Sequence, residues 1–337
     1  MEPIQLTKDD FTSNQETRWC PGCGDYSILA QMKKVLPTLG IPRENFVFVS
    51  GIGCSSRFPY YLETYGIHGI HGRAPVIASG VKLANPNLKV FVITGDGDGL
   101  SIGGNHLIHL FRRNIDITIV LFNNQIYGLT KGQYSPTSEK GKITKSSPYG
   151  SLESPFNPVQ MALASGASFV ARSIDRDPKH LEDTLARAAK HKGTAFVEVY
   201  QNCNIFNDGA FLSLTEPKEK KKHLLKMEHG KPFIYGENDE LMLTWTGKNF
   251  KVVNKDLNEN GHEILTHDEN GSGPAMEFML ASLSLDAQLP TPIGIFRAVE
   301  RDTYDDMMAA QMNATKKKKG EGDLKTLFTG GYTWTND

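Results

Sequence analysis

Four short runs of almost unbroken apolar residues limit this chain's fold more than any other feature. They are 46–49 (Phe-Val-Phe-Val), 90–93 (Val-Phe-Val-Ile), 117–122 (Ile-Thr-Ile-Val-Leu-Phe) and 195–199 (Ala-Phe-Val-Glu-Val). Their length and their β-branched and aromatic content predict strands. A strand that is apolar on both sides must be covered on both faces, as in parallel sheets. Between the runs lie segments of helical period: Ile28, Leu29, Met32, Val35 and Leu36; Leu107, Ile108, Leu110 and Phe111; Leu181, Leu185 and Ala188. Alternating strands and helices predict an α/β fold with a doubly wound, mainly parallel sheet, whose ligands sit at the carboxyl ends of the strands.

After Phe211 the texture changes. Lys218-Glu219-Lys220-Lys221-Lys222 is a charged break, hairpin-like pieces follow at 241–245 and 250–253, and a second basic run occupies 316–319. This divides the chain into a main domain, 1–210, and a C-terminal extension, 211–337, expected to cover the site or dock a partner.

Composition excludes several classes. Lys+Arg 37 against Asp+Glu 38 leaves a net charge of -1, so no basic field points to nucleic acid. No run reaches the ~18 apolar residues of a membrane span. Met1-Glu2-Pro3-Ile4-Gln5 opens no export signal. Four cysteines in 337 residues then fit reduced thiols in a cytoplasm, not a disulfide scaffold.

The most informative motif is Gly95-Asp96-Gly97-Asp98-Gly99, directly after a strand, with Asn123-Asn124 at the end of the next. Glycines there let the backbone turn and present N–H groups to an anion, and a helix expected to begin near Ser101 would add its positive end. Asp96 supplies oxygen ligands for a hard divalent cation, and a neighbouring parallel strand would bring Asn124 beside it. The layout resembles the thiamine-diphosphate signature. That resemblance implies that Asp96, Asn124 and the Ile126 carbonyl hold Mg²⁺ against the cofactor's pyrophosphate.

The cysteines are ambiguous on their own. Cys20-Pro21-Gly22-Cys23 is a C-x-x-C knuckle, and Cys54 and Cys203 each follow an expected strand. Four thiolates complete either a zinc site or a [4Fe–4S] site.

Taken in order, Trp19-Cys20-Pro21-Gly22-Cys23-Gly24, Gly51-Ile52-Gly53-Cys54-Ser55, His71-Gly72-Arg73, the Gly95 motif, Asn123-Asn124-Gln125-Ile126-Tyr127-Gly128-Leu129-Thr130-Lys131 and Ser135-Pro136-Thr137 resemble the β subunits of 2-oxoacid:ferredoxin oxidoreductases, particularly the 2-oxoglutarate branch. The resemblance implies a pyrophosphate-domain fold of the thiamine-diphosphate-binding type with a C-terminal appendage. It also implies that Cys20, Cys23, Cys54 and Cys203 ligate one [4Fe–4S] cluster. Ile52, Gly53, Cys54, Ser55 and His71 would line thiamine diphosphate, with Gly97, Asp98, Gly128 and Leu129 at its pyrophosphate. Lys131 and Arg57 would face the 2-oxoacid carboxylate, and His71 would position or shuttle a proton. Arg57 stands where some relatives carry lysine, which leaves fine substrate choice open. The implied reaction is coenzyme A-dependent oxidative decarboxylation of a 2-oxoacid, with electrons passing singly to ferredoxin. The glutamate that activates the cofactor's aminopyrimidine comes, in that superfamily, from a pyrimidine-binding domain that this chain lacks. An obligate α subunit, alone or fused to a γ domain, is therefore expected in an αβ or (αβ)₂ complex.

Overall fold

The four apolar runs become the centre of one eight-stranded sheet. The computed structural model describes residues 5–256, 264–330 and 333–334; Met1 to Ile4, part of the stretch read for an export signal, lie outside the described residues. In chain order the strands are β1 (Phe46–Ser50), β2 (Tyr65–His68), β3 (Lys89–Gly95), β4 (Ile117–Asn123), β5 (Phe169–Ile174), β6 (Ala195–Tyr200), β7 (Leu224–Met227), the short β8 (Ile234–Tyr235), β9 (Leu241–Trp245), β10 (Phe250–Asn254) and finally β11 (Thr291–Ala298). Their order in the main sheet is β2-β1-β3-β4-β6-β5-β11-β7. The first six are parallel, whereas β11 runs antiparallel to β5 and β7 parallel to β11.

Side chains alternate across each strand, and both faces are buried. Val47, Val49, Val90, Val92, Ile117, Ile119 and Leu121 enter one core. Helices α2 (Ala74–Ala84), α4 (Gly104–Arg113) and α5 (Pro158–Ala164) cover it, with α3 (Asp96–Leu100) leading into α4. Phe46, Phe48, Phe91, Ile93, Val120 and Phe122 enter the other core, against Ile28, Met32 and Val35 of α1 (Asp25–Val35) and Leu181 and Leu185 of α6 (Pro178–Lys190). The Phe48 and Phe91 rings stack at 4.7 Å. Proline at the first turn and a side-chain cap start two of these helices: Asp177 accepts from the His180 N–H and Asn157 from the Gln160 N–H.

Four strands escape a reading by apolar runs, for physical reasons. Strand β2 is an exposed edge held by backbone pairing to β1. In β5, Arg172 and Ser173 interrupt the apolar pattern, although Arg172 is fully buried against Glu198. Strand β7 has only four residues, and β11 contains Pro292 and a Gly294 with φ 121°. Past residue 210 the chain therefore joins the sheet and does not form a core of its own. Leu225, Met227 and Phe296 belong to the same cluster as Val47. The hairpin expected at 241–253 is present as the antiparallel β9–β10 pair.

The remaining helices are α7 (Leu212–Thr215), α8 (Lys220–His223), α9 (Ala275–Ser282), α10 (Tyr304–Lys319) and α11 (Leu324–Thr329). Lys220 to Lys222 lie in α8, and Lys316 to Lys319 close α10. Met307 and Met312 are half exposed, outside any core. Among the described residues no helix is long and apolar enough to cross a membrane.

Candidate active site

From β1 the chain moves outward to β2, whereas from β3 it moves the other way to β4. Such a reversal opens a crevice at the carboxyl ends of the strands. A cavity of about 460 Å³ lies there, lined by Asp25, Ile52, Gly53, Cys54, Ser55, His71, Gly95 to Asp98, Asn124, Ile126 to Thr130 and Gln133.

Register explains the pairing of the two acidic and amide motifs. Gly95 of β3 sits opposite Phe122 of β4, so the residues that follow each strand emerge side by side. The helix after the glycines begins at Asp96 itself as the short α3, and α4 starts only at Gly104, in place of the single helix expected near Ser101. Asp96 is buried, and both of its hydroxyl partners bond Oδ2: Ser135 Oγ at 2.5 Å and Thr137 Oγ1 at 2.7 Å. Burial pushes its carboxyl up to about 6, partly opposed by these two donors. Asn124 Oδ1 accepts the Ile126 N–H at 3.2 Å, and its Nδ2 donates to Gln201 Oε1 at 2.9 Å. Gln125 between them takes φ 56°.

Asp98 performs a different task. Its Oδ1 accepts the N–H groups of Ile52 at 3.0 Å and Gly72 at 2.7 Å, and its Oδ2 accepts Thr94 Oγ1 at 2.6 Å. It thus ties the loop after β1 and the loop after β2 to β3. His71 Nδ1 approaches Asp98 Oδ1 to 2.9 Å without hydrogen-bond alignment. A Cβ at Gly51 would strike the Asp98 carboxylate at 2.1 Å, so only glycine fits. Tyr127 packs over Gly97, donating its hydroxyl to the Gly97 carbonyl at 3.0 Å.

The cysteines gather beside this cavity. A Cβ on Gly128 would lie 3.6 Å from Cys54 Sγ and 3.7 Å from Cys203 Sγ, so the glycine leaves a hollow between two thiols. Burial pushes the Cys54 thiol up to about 12 and the Cys23 thiol further, with Asp25 and the other thiols adding to both. Among the described residues no three His, Cys, Asp or Glu side chains converge as one mononuclear ion requires.

Several participants carried no signal in the sequence. Asp25, the first residue of α1, is buried, lines the cavity and has an Oδ2 without a partner. Burial, with Asp175 nearby, raises its carboxyl to about 7. Thr94 reaches the site from the end of β3; Ser135, Thr137 and Tyr127 fall within the motifs that carry the resemblance, but their contacts run through loops whose path only the tertiary fold sets. Two expected residues are not brought into the cavity. Arg57 lies on a 3-10 turn (Ser55–Tyr61) that carries its guanidinium to the Arg18 carbonyl at 2.8 Å, in a depression with Gln15, Glu16 and Tyr60. Lys131 takes φ 76° at a turn and lines a neighbouring depression with Lys142, Ile143 and Phe206.

Comparison with known proteins agrees with this geometry. Residues 51–199 match the family model of the thiamine pyrophosphate enzymes' C-terminal TPP-binding domain. The 2-oxoglutarate oxidoreductase subunit KorB of Mycobacterium tuberculosis is 54% identical over 97% of this chain and 88% of its own length. The β subunit of 2-oxoacid:ferredoxin oxidoreductase 1 from Aeropyrum pernix is 50% identical over 56% of this chain and 60% of its own. A solved 2-oxoglutarate:ferredoxin oxidoreductase from Magnetococcus marinus, with 2-oxoglutarate, coenzyme A and succinyl-CoA bound, superposes with a TM-score of 0.76. The match is 31% identical and covers 99% of this chain and 98% of that one. The chain thus carries a thiamine-diphosphate-binding domain and belongs to the β subunits of the 2-oxoacid:ferredoxin oxidoreductases.

Proposed function

We propose that this chain, assembled with an α subunit in the cytoplasm, carries out coenzyme A-dependent oxidative decarboxylation of 2-oxoglutarate to succinyl-CoA. Mg²⁺ would anchor the cofactor, and one [4Fe–4S] cluster would pass electrons to ferredoxin. One juxtaposition carries the reading. The Asp96–Asn124 pair and the Cys54–Gly128–Cys203 hollow border one cavity, so a two-electron donor and a one-electron acceptor would share a wall. The substrate follows the names of the mycobacterial relative and of the 2-oxoglutarate synthase subunit of Archaeoglobus fulgidus, 47% identical over 56% of this chain.

Bound there, thiamine diphosphate supplies a carbon nucleophile that adds to a keto group and an electron sink for the pair released with CO₂. The protein's own groups do the rest. Asp96, Asn124 Oδ1 and the Ile126 carbonyl form an all-oxygen donor set that suits Mg²⁺; the two hydroxyls on Asp96 Oδ2 leave Oδ1 without a side-chain donor. Cys20, Cys23, Cys54 and Cys203 would hold the cluster: four thiols are a fitting donor set, and two of them, Cys54 and Cys203, flank the missing Cβ of Gly128. Ile52, Gly53, Ser55, Gly97, Asp98, Gly128 and Leu129 would enclose the cofactor. With Nδ1 turned to Asp98, His71 has Nε2 free to hold or move a proton. Arg57 and Lys131, outside the cavity, are assigned to the substrate carboxylate only in the assembled complex.

The test is anaerobic co-purification of this chain with its α subunit, followed by iron analysis, a visible spectrum and viologen reduction on several 2-oxoacids. Expected are about four irons per β chain with broad absorbance near 400 nm, and fastest turnover on 2-oxoglutarate. Stoichiometric zinc in a colourless protein would favour a scaffold, and a colourless protein with thiamine diphosphate alone would favour a non-redox decarboxylase. Preference for pyruvate, or no preference, would overturn the substrate. Robust turnover by the isolated chain would overturn the need for α.

A further inference from the structure

An ion pair fully buried within the sheet is linked by three further contacts to Asp96. Arg172 Nε donates to Glu198 Oε2 at 2.6 Å, with both side chains inaccessible. Glu198 Oε1 accepts Asn123 Nδ2 at 2.7 Å. That fixes the Asn123 amide with Oδ1 turned to the Gln125 N–H, at 3.2 Å, and to Thr137 Oγ1, at 2.9 Å. Thr137 Oγ1 is in turn 2.7 Å from Asp96 Oδ2. Arg172 is held from the far side by the Pro292 carbonyl of β11 and by the Tyr200 and Phe296 rings.

A buried ion pair is a poor source of stability, because desolvation of the two charges offsets their attraction. Its value here is directional. Glu198 lies on β6 and Asn123 at the end of β4, two residues beyond the register partner of Glu198, Leu121, and so on the same face. An ionised carboxylate accepts only, so it leaves the Asn123 amide a single orientation. With the amide reversed, its NH₂ would face the Gln125 N–H, donor against donor, and the turn that presents Asn124 and the Ile126 carbonyl would lose its clasp.

We propose that Glu198, held by Arg172, is a positioning residue for the Mg²⁺–pyrophosphate site. It orients Asn123 and, through it, the 123–126 turn. The inference rests on the Mg²⁺ assignment above and adds to it residues of β5 and β6 that do not line the cavity.

The chemistry dictates the test. In Glu198→Gln, the Arg172 donor claims the new amide oxygen, so the NH₂ faces Asn123 Nδ2. Removing that competitor in Arg172→Met/Glu198→Gln frees the oxygen to accept from Asn123 again. Arg172→Met/Glu198→Leu removes both charges without leaving one buried alone, and also removes the acceptor. The readouts on the αβ complex are the Mg²⁺ concentration for half-maximal thiamine diphosphate binding, by calorimetry, and the thermal midpoint. Expected in Glu198→Gln is a 10- to 100-fold higher Mg²⁺ concentration for half-maximal binding, in keeping with groups that orient metal ligands. Most of that loss should be recovered in Arg172→Met/Glu198→Gln and not in Arg172→Met/Glu198→Leu, irrespective of their thermal midpoints. Wild-type Mg²⁺ affinity in the Leu double variant overturns the proposal, as does equal weakening of both double variants. If Glu198→Gln alone does not fold, the two double variants decide. Cofactor binding by the wild type without any Mg²⁺ dependence would instead remove the metal reading itself.

Discussion

Both ends of the sheet bury polar groups, to opposite effect. At the amino ends two buried groups are fully answered. Lys82 Nζ spends its three protons on the Pro86 and Leu88 carbonyls and on Asp116. Asn114 makes four bonds: Oδ1 to Ser168 Oγ and the Thr194 N–H, and Nδ2 to the Arg301 and Asp302 carbonyls. At the carboxyl ends capacity is left over. Asp25 Oδ2, Ser56 Oγ, His71 Nδ1 and Asn204 Oδ1 are buried there without a hydrogen-bond partner. The three other such atoms among the described residues, on His109, Arg172 and Glu277, are scattered. An unanswered buried polar atom costs about 1–3 kcal/mol, so a cluster of them persists where an occupant completes them. Burial of polar residues alone therefore does not mark a site; incomplete satisfaction in one place does.

That contrast can be broken at either end. The largest expected effect is at the open end: Asp96→Asn should lower Mg²⁺-dependent turnover of the complex by about 10²–10³-fold, as loss of one electrostatic anchor does. The thermal midpoint should stay or rise, because a buried carboxylate is removed; a variant with wild-type activity would refute the assignment of Asp96. At the closed end, Asn114→Ala should cost roughly 3 kcal/mol in urea unfolding, since it strands several buried partners at once. Thiamine diphosphate affinity should not change, and a matching loss of cofactor binding would erase the distinction between the ends. Ser135→Ala comes next, with Mg²⁺ affinity lower by about 10-fold and stability little altered, read by calorimetry.

The smallest effect is a pH dependence at the closed end. Burial, reinforced by Lys89, depresses His191 to about 4, and its Nε2 lies 2.8 Å from Ser168 Oγ. Between that value and the unfolded value near 6.5 the unfolded chain binds the extra proton. The contribution is complete above about pH 6.5 and is lost as pH falls toward 4. Its size is roughly 1–2 kcal/mol once partial exposure is discounted. Urea midpoints at pH 7 and pH 5 should differ by less in His191→Gln than in the wild type; equal differences would show that other groups carry the slope.

Much of the centre of the fold was legible, because β1, β3, β4 and β6 carry apolar runs on both faces, interrupted only by Thr118 and Glu198. That same Glu198, and Arg172 on β5, show where legibility stops. A charge reads as surface until its partner on another strand is known, so β5 was missed although it is buried throughout. In the site, Asp96 with Asn124 was legible from motif and spacing, since parallel neighbours bring their strand ends together. That Arg57 and Lys131 lie outside the cavity lining was not legible, because the direction of a side chain on a 3-10 turn or at positive φ is a local backbone property that residue type does not reveal.

By itself the sequence determined the alternation of strand and helix, the glycine–aspartate motif that follows β3, and Cys54 and Cys203 just past two strands of the sheet. Each depends on residue type and on separations short enough for one strand–helix–strand unit to fix. Tertiary structure alone decided which groups touch. It placed Ser135 and Thr137 on Asp96, Asp25 in the cavity wall, β7 and β11 in the main sheet, and Arg172 behind Glu198. Those pairings link residues far apart in the chain, and their energies exist only after desolvation has made every buried polar group depend on a specific neighbour.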